Sequence, residues 1–261
     1  MSREAMPSGL VSRELDNFVL RIRLHRDDKK NALTRVMYEE LQQVFAEADT
    51  DERVRVILFL GGDGCFTAGN DLADFLSHPA LETDSPVVRF LNTMATARKP
   101  IVAAVAGPAV GIGTTMLLHC ELVYCADNAR LEMPFINLGL CPEFASSLLL
   151  PRQIGYARAA ELLLLAEPFD AHTAKQYGLV NEVLTAADCV ARANQAATTL
   201  AAKPPASLQI AKQLMKQALE PAVLDQIRLE AEQFSALLQG PEAREALNAF
   251  LEKRAPDFSR F

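Results

Sequence analysis

Two apolar runs that end in glycine, one alternating strand and a C-terminal third without strand signals predict an α/β fold. Its sheet is largely parallel, with helical crossovers, and helices follow it. The runs are VRVILFLGG (54–62) and IVAAVAG (101–107). Continuous apolarity over strand length marks strands covered on both faces. The alternating segment is FVLRIRLHR (18–26), where Leu20, Ile22 and Leu24 interleave with Arg21 and Arg23 as in a half-buried strand.

The remaining elements follow in chain order. A loop, DDKKNAL (27–33), leads to Thr34, a helix N-cap, and Met37, Leu41, Val44, Phe45 and Ala48 recur behind it at helical spacing. After IVAAVAG, Gly113–His119 makes a short helix and ELVYCAD (121–127) another apolar strand. Strand, glycine loop, helix, strand implies right-handed crossovers. Beyond Asp127 the strands thin out. Helices are expected over YARAAELLLLAE (156–167), after Asp170, and in three long stretches between about Thr185 and Lys253, with Gly178–Leu184 a brief extended interruption. No internal repeat or flexible linker divides the chain.

Charge and composition narrow the function classes. With 26 basic against 33 acidic residues the net charge is −7, which argues against nucleic acid as a partner. An anionic small ligand is not excluded, because it responds to the local field of its site. The opening MSREAMPSGLVSREL has no signal-peptide core, and the longest apolar stretches, Ile101–Ala106 and Leu162–Ala166, are far too short to span a membrane. Five cysteines without a CxxC pair suggest a reduced, cytoplasmic chain.

Metal binding is not expected, since His25, His78, His119 and His172 are scattered without a clamping spacing. There is no GxSxG elbow, and no cysteine has a histidine near it in sequence. GPAVGIGTTM (107–116) resembles a dinucleotide-binding turn, but Met116 stands where the third glycine belongs, and Pro134 follows the candidate ribose ligand Glu132. What survives is the peptide N–H of Ile112, between Gly111 and Gly113 at a helix start, a donor for phosphate or oxyanion. The turn CFTAGNDL (65–72) offers a second backbone donor around Ala68, Gly69 and Asn70, or is simply a loop. In MPFINLGLCPEF (133–144), Glu143 sits among Phe135, Ile136, Leu138, Leu140 and Leu148–Leu150. It is either a desolvated general base, or it caps the nearby helix or points to solvent.

Taken together, RDDKKNALT, CFTAGNDL, KPIVAAVAGPAVGIGTTM, ELVYCADNARLEMPFINLGLCPE and AFLEKRAPDF, in register from residue 26 to 258, resemble the crotonase (enoyl-CoA hydratase/isomerase) superfamily. The resemblance implies a ββα spiral core over residues 1–200. A C-terminal helical trimerisation region over 201–261 would belong to the same domain, in a homotrimer or hexamer with no membrane or nucleic-acid partner. It implies an acyl-CoA substrate and no separate cofactor. The N–H groups of Asn70 and Ile112 would form an oxyanion hole for the thioester, although the family usually has Ala at position 70. Ala68, Gly69, Asp71, Leu72, Gly111 and Phe135 would line the substrate. Arg26 and Lys29 would meet the nucleotide end of coenzyme A, and Phe250 and Lys253 a neighbouring subunit's CoA.

The acids discriminate between reactions. Typical hydratases of the family carry two glutamates, and this chain has Thr115 and Phe135 at those positions. Glu143 matches instead the lone glutamate of the peroxisomal-type Δ3,Δ2-enoyl-CoA isomerases, with Phe144 replacing their common glycine. The resemblance therefore implies an isomerase of the fatty-acid β-oxidation type. The alternatives are a hydratase, a dienoyl or ring isomerase, a non-catalytic acyl-CoA-binding subunit and, more distantly, an NAD-dependent dehydrogenase. Acyl chain length is expected to depend on how Leu72–His78 and LETDSPVVRF (81–90) fold over the tail.

Overall fold

The computed structural model describes residues 4–62, 64–77 and 84–261. Among these residues ten strands form two sheets: β1 (Glu4–Ala5), β2 (Val11–Asp16), β3 (Val19–Leu24), β4 (Val56–Leu60), β5 (Ile101–Val105), β6 (Pro108–Val110), β7 (Leu122–Ala126), β8 (Arg130–Glu132), β9 (Phe169–Asp170) and β10 (Glu182–Leu184). The larger sheet runs β1-β2-β3-β4-β5-β7-β10, and the smaller β6-β8-β9. From β3 through β4, β5 and β7 to β10 every pairing is parallel, while β1–β2 and β2–β3 are antiparallel. Among the described residues no helix is long and apolar enough to cross a membrane.

The continuous apolar runs are double-faced for the expected reason. Val56, Leu58, Leu60, Val102 and Ala104 point to one side of the sheet, where Cys189, Ala193, Ala196 and Ala197 of the helix Ala186–Ala201 cover them. Ile57, Phe59, Ile101, Ala103 and Val105 point to the other side and join the main core. The helix Arg35–Thr50 lies in that core; Thr34 caps it by accepting the Met37 N–H, and Met37, Leu41, Val44, Phe45 and Ala48 are all buried.

Two parts of the architecture differ from expectation. The N-terminal segment, which shows no strand signal, makes the β2–β3 hairpin, paired from Val11↔Leu24 to Asp16↔Val19. Its two turn residues, Asn17 and Phe18, both have positive φ, 49° and 65°. Hairpin turns of this kind ordinarily announce themselves with Asn-Gly. With phenylalanine in the second place the signal is hidden. The stretch read as three C-terminal helices is four: Ala186–Ala201, Pro205–Lys216, Glu220–Leu238 and Pro241–Leu251. Pro205 and Pro241 occupy first turns, where a missing N–H is harmless. Val223, Ile227, Phe234, Leu238, Ala243 and Leu247 of the last two helices belong to the main core, so this region also builds the chain's own interior.

Candidate active site

Two loops run side by side at the ends of β4 and β6. Thr67 pairs with Ala109 in a parallel bridge. The Thr67 N–H donates to the Pro108 carbonyl at 3.1 Å, and the Val110 N–H to the Thr67 carbonyl at 3.0 Å. Three residues beyond this bridge the two chains reach Asn70 and Ile112. Gly69 allows the approach: its φ is +86°, and a Cβ there would lie 2.8 Å from the Val110 carbonyl oxygen. Among the described residues neither the Asn70 nor the Ile112 N–H donates to a protein acceptor. The Asp71 N–H goes to the Leu33 carbonyl at 2.9 Å and the Gly111 N–H to the Glu132 carbonyl at 2.8 Å. Two adjacent peptide donors are thus left for a ligand, one of them opening the short helix Ile112–Thr115.

Glu143 enters on the segment before the helix Ser146–Ile154 and is 7% exposed. Its backbone carbonyl accepts the Ser146 N–H at 3.1 Å, while its carboxylate turns inward, where Oε1 accepts from the Thr115 hydroxyl at 2.5 Å. Burial pushes the carboxyl up to about 8; the Thr115 hydrogen bond works against this rise, and the charge of Glu230 works with it. The Glu143 side chain therefore neither caps the helix nor turns to solvent.

The backbone around it is unusual. Phe144 and Ala145 both have positive φ, 60° and 56°. Glycine tolerates such a conformation freely and other residues do not. Phe144 is fully buried, stacked on His119 at a ring separation of 4.0 Å and 6.3 Å from Phe90. Burial holds the His119 imidazole down to about 3, hence neutral, with Nε2 2.9 Å from the Phe144 carbonyl.

Three contributors escaped the sequence reading. Glu230, from the helix Glu220–Leu238, reaches back to the 145–147 turn: its Oε2 accepts the Ala145 N–H at 2.5 Å, and its Oε1 accepts the Ser147 N–H at 3.1 Å and the Ser147 hydroxyl. Burial pushes its carboxyl to about 7 in spite of these bonds. The signal was present, because Glu230 interrupts the apolar stripe Val223, Ile227, Phe234, Leu238 on a buried face. Tyr38, on the buried face of the first long helix, donates its hydroxyl to Asn70 Oδ1. Burial, with the charges of Glu143 and Asp74, holds that phenol well above its ordinary range. Thr115 was recognised only as a missing acid, not as the partner of Glu143.

The other expected site residues distribute as follows. Ala68 donates its N–H to the Lys30 carbonyl at 2.9 Å, and the Phe135 ring lies beside Gly111. Arg26 is held by Asp71 at 2.7 Å and by the Ala32 carbonyl at 2.8 Å, so it braces the donor loop. Burial works to raise the Asp71 carboxyl, but bonds from the Asp74 N–H and Arg26 outweigh it and leave the group below its usual range. Leu72 begins the helix Leu72–Ser77. Residues 78–83, expected to influence acyl length, lie outside the described residues. Lys29 is exposed, as are Phe250 in the last turn of the final helix and Lys253 just beyond it. Burial raises the thiols of Cys120 and Cys125 to about 12 and of Cys141 and Cys189 to about 11, which leaves no ready thiolate among them. No group of three metal-ligating side chains occurs among the described residues. A cleft of about 470 Å³ lies elsewhere, across β2 and β3, where Arg21 is tied to Asn194 and Arg23 to the Gly61 carbonyl.

Known proteins resemble this chain in sequence and fold. Residues 14–260 fit the family model described as enoyl-CoA hydratase/isomerase. A Bacillus subtilis protein named probable enoyl-CoA hydratase is 32% identical over 253 residues, 95% of this chain and 98% of that protein. Rat enoyl-CoA delta isomerase 2 is 37% identical over 204 residues, 76% of this chain but only 52% of the rat protein. A crystal structure of an enoyl-CoA hydratase/isomerase from Pseudoalteromonas atlantica superposes with a TM-score of 0.91 at 38% identity, covering 96% of this chain and all of that one. With sequence and fold agreeing over almost its entire length, the chain belongs to the enoyl-CoA hydratase/isomerase family, an enzymatic one.

Proposed function

We propose that the protein is a Δ3,Δ2-enoyl-CoA isomerase in which Glu143 is the sole acid–base residue. The observation that carries this reading is the Thr115–Glu143 hydrogen bond of 2.5 Å. Where the family resemblance places a first hydratase glutamate, a hydroxyl serves the Glu143 carboxylate; where it places the second, Phe135 is buried. Hydration needs one group to activate water and a second to protonate carbon. A double-bond shift needs one group used twice.

The thioester oxygen accepts from the N–H groups of Asn70 and Ile112. Ionised Glu143 removes a proton from C2; the C–H electron pair forms a C1–C2 double bond, and negative charge moves to the thioester oxygen. The two N–H donors stabilise this dienolate, each worth about 3–4 kcal/mol if it behaves as a known oxyanion donor. Collapse of the oxygen charge re-forms the carbonyl and makes a C2–C3 double bond. The former C3–C4 pair then takes the proton from Glu143 at C4. A carboxyl near 8 is well matched to taking and returning a proton near neutral pH. Phe135 and Phe144 keep the base away from bulk water. The sequence of steps calls on no separate cofactor.

The proposal extends to assembly. Exposed Phe250, Leu251 and Phe261 favour a homotrimer or hexamer, in which Phe250 and Lys253 reach a neighbour's CoA while Arg26 and Lys29 border its nucleotide end. The test is a thioester panel. Wild type converts 3-enoyl-CoA to the conjugated 2-enoyl thioester, and Glu143→Gln does not. Hydration of 2-enoyl-CoA at a comparable rate overturns the isomerase assignment in favour of a hydratase.

A further inference from the structure

Glu143 sits on a turn whose next two residues are both in the left-handed region, Phe144 at φ 60° and Ala145 at φ 56°. A turn of non-glycine residues in that conformation persists only where its surroundings hold it. The holder comes from the far end of the chain. Glu230 is 5% exposed, and its two carboxylate oxygens take the Ala145 N–H, the Ser147 N–H and the Ser147 hydroxyl. Gln226 Nε2, one turn earlier on the same helix, donates to Ser147 Oγ at 2.8 Å and fixes the direction of that hydroxyl proton.

We propose that Glu230 is the positioning residue for Glu143: it clamps the 145–147 turn so that the Glu143 carboxylate stays turned toward Thr115, and it sets a second negative charge beside it. This rests on Glu143 being the base. A like charge nearby raises the proton affinity of a carboxylate, which makes the base stronger but requires higher pH to ionise it. The groups facing Glu143 are Thr115 from the short helix, Tyr38 from the first long helix, Cys141 from its own segment and Glu230 from the C-terminal side. His119, stacked under Phe144, is neutral. Neither carboxylate is paired with a lysine or arginine among the described residues, so no nearby cation offsets the charge of Glu230 at Glu143.

The test is Glu230→Gln, read by the pH profile of isomerisation and, independently of activity, by a carboxyl-13C NMR titration in which Glu143 is assigned by the signal lost in Glu143→Gln. The expected result is a Glu143 midpoint lower by about one pH unit. The acid limb of kcat/KM should move down with it, and kcat should fall at high pH while KM holds. Loss of structure alone would instead scale the profile without moving its limb. Should Glu230→Gln fail to fold, Ser147→Ala removes one donor from Glu230, makes it protonate more readily and shifts the Glu143 midpoint in the same direction. An unchanged midpoint in whichever of these variants folds overturns the proposal. Absence of isomerase activity in wild type refutes the assigned reaction instead, and leaves the NMR titration to decide Glu230.

Discussion

Replacing Phe144 by alanine and by glycine tests the turn that carries Glu143. The side chain is fully buried and stacked on His119 at 4.0 Å. Truncating such a phenylalanine to alanine costs about 3–5 kcal/mol. Alanine inherits the φ of +60°, so no strain is relieved. Glycine relieves about 1–2 kcal/mol of left-handed strain, offset by about 0.5–1 kcal/mol of extra chain entropy in the unfolded state. The stability order should be wild type, then glycine, then alanine, with the two variants separated by about 0.5–1 kcal/mol. At an ordinary helical or extended position alanine would exceed glycine. At about 2–4 °C per kcal/mol for a chain of this size, both variants should melt on the order of 10 °C below wild type. Thermal and urea unfolding followed by circular dichroism measure this directly. If alanine proves more stable than glycine, the left-handed backbone is wrong. If either variant lies within about 1 kcal/mol of wild type, the packing argument is wrong.

Three further outcomes follow from the site. Between about pH 4.5 and about 8 the folded chain keeps a proton on Glu143 that the unfolded chain releases, so this group's contribution to stability falls as pH rises through that window. Glu143→Gln should therefore gain melting temperature relative to wild type between about pH 5 and about pH 9, while isomerisation drops roughly 10²–10⁴-fold; a pH-independent difference in melting would contradict the buried ionisation. Tyr38→Phe removes the hydroxyl that holds Asn70 Oδ1, and should cost about 1 kcal/mol in urea unfolding and lower kcat more than it raises KM. Gly69→Ala drives a Cβ to 2.8 Å from the Val110 carbonyl at a φ of +86°, and should cost at least about 2 kcal/mol. Because the two donor loops are forced apart, kcat should also fall by roughly 10²-fold; near-wild-type turnover would show that their spacing is not what the reaction uses.

How much was legible depended on whether the determining residues were neighbours in sequence. The buried strands at 56–60 and 101–105 and the Thr34-capped helix were readable because periodicity and a capping side chain are local signals. Glycine marked the two donor loops because close backbone approach leaves no room for a Cβ. The hairpin at 11–24 was hidden by a turn that uses Phe18 at positive φ instead of glycine. Phe144 concealed the left-handed turn at Glu143 in the same way. Glu230 meets its partners across 83 to 85 residues of chain, a separation that no local pattern encodes. Even so, a glutamate on a buried helical stripe should have raised the question of what satisfies it.

The donor loops are the end of a ladder. Pairing of Thr67 with Ala109 stops just before Asn70 and Ile112, where two main-chain N–H groups point at no further strand. In the proposed reaction a bound carbonyl would take the place of the next strand's backbone. Because the donors are peptide groups, exchanging the side chain at position 70 or 112 leaves them in place, and proline is the one residue that deletes the N–H itself. Any side chain but proline can stand at position 70, and the pocket's lining can be rewritten for a new acyl group, without these two backbone donors being lost.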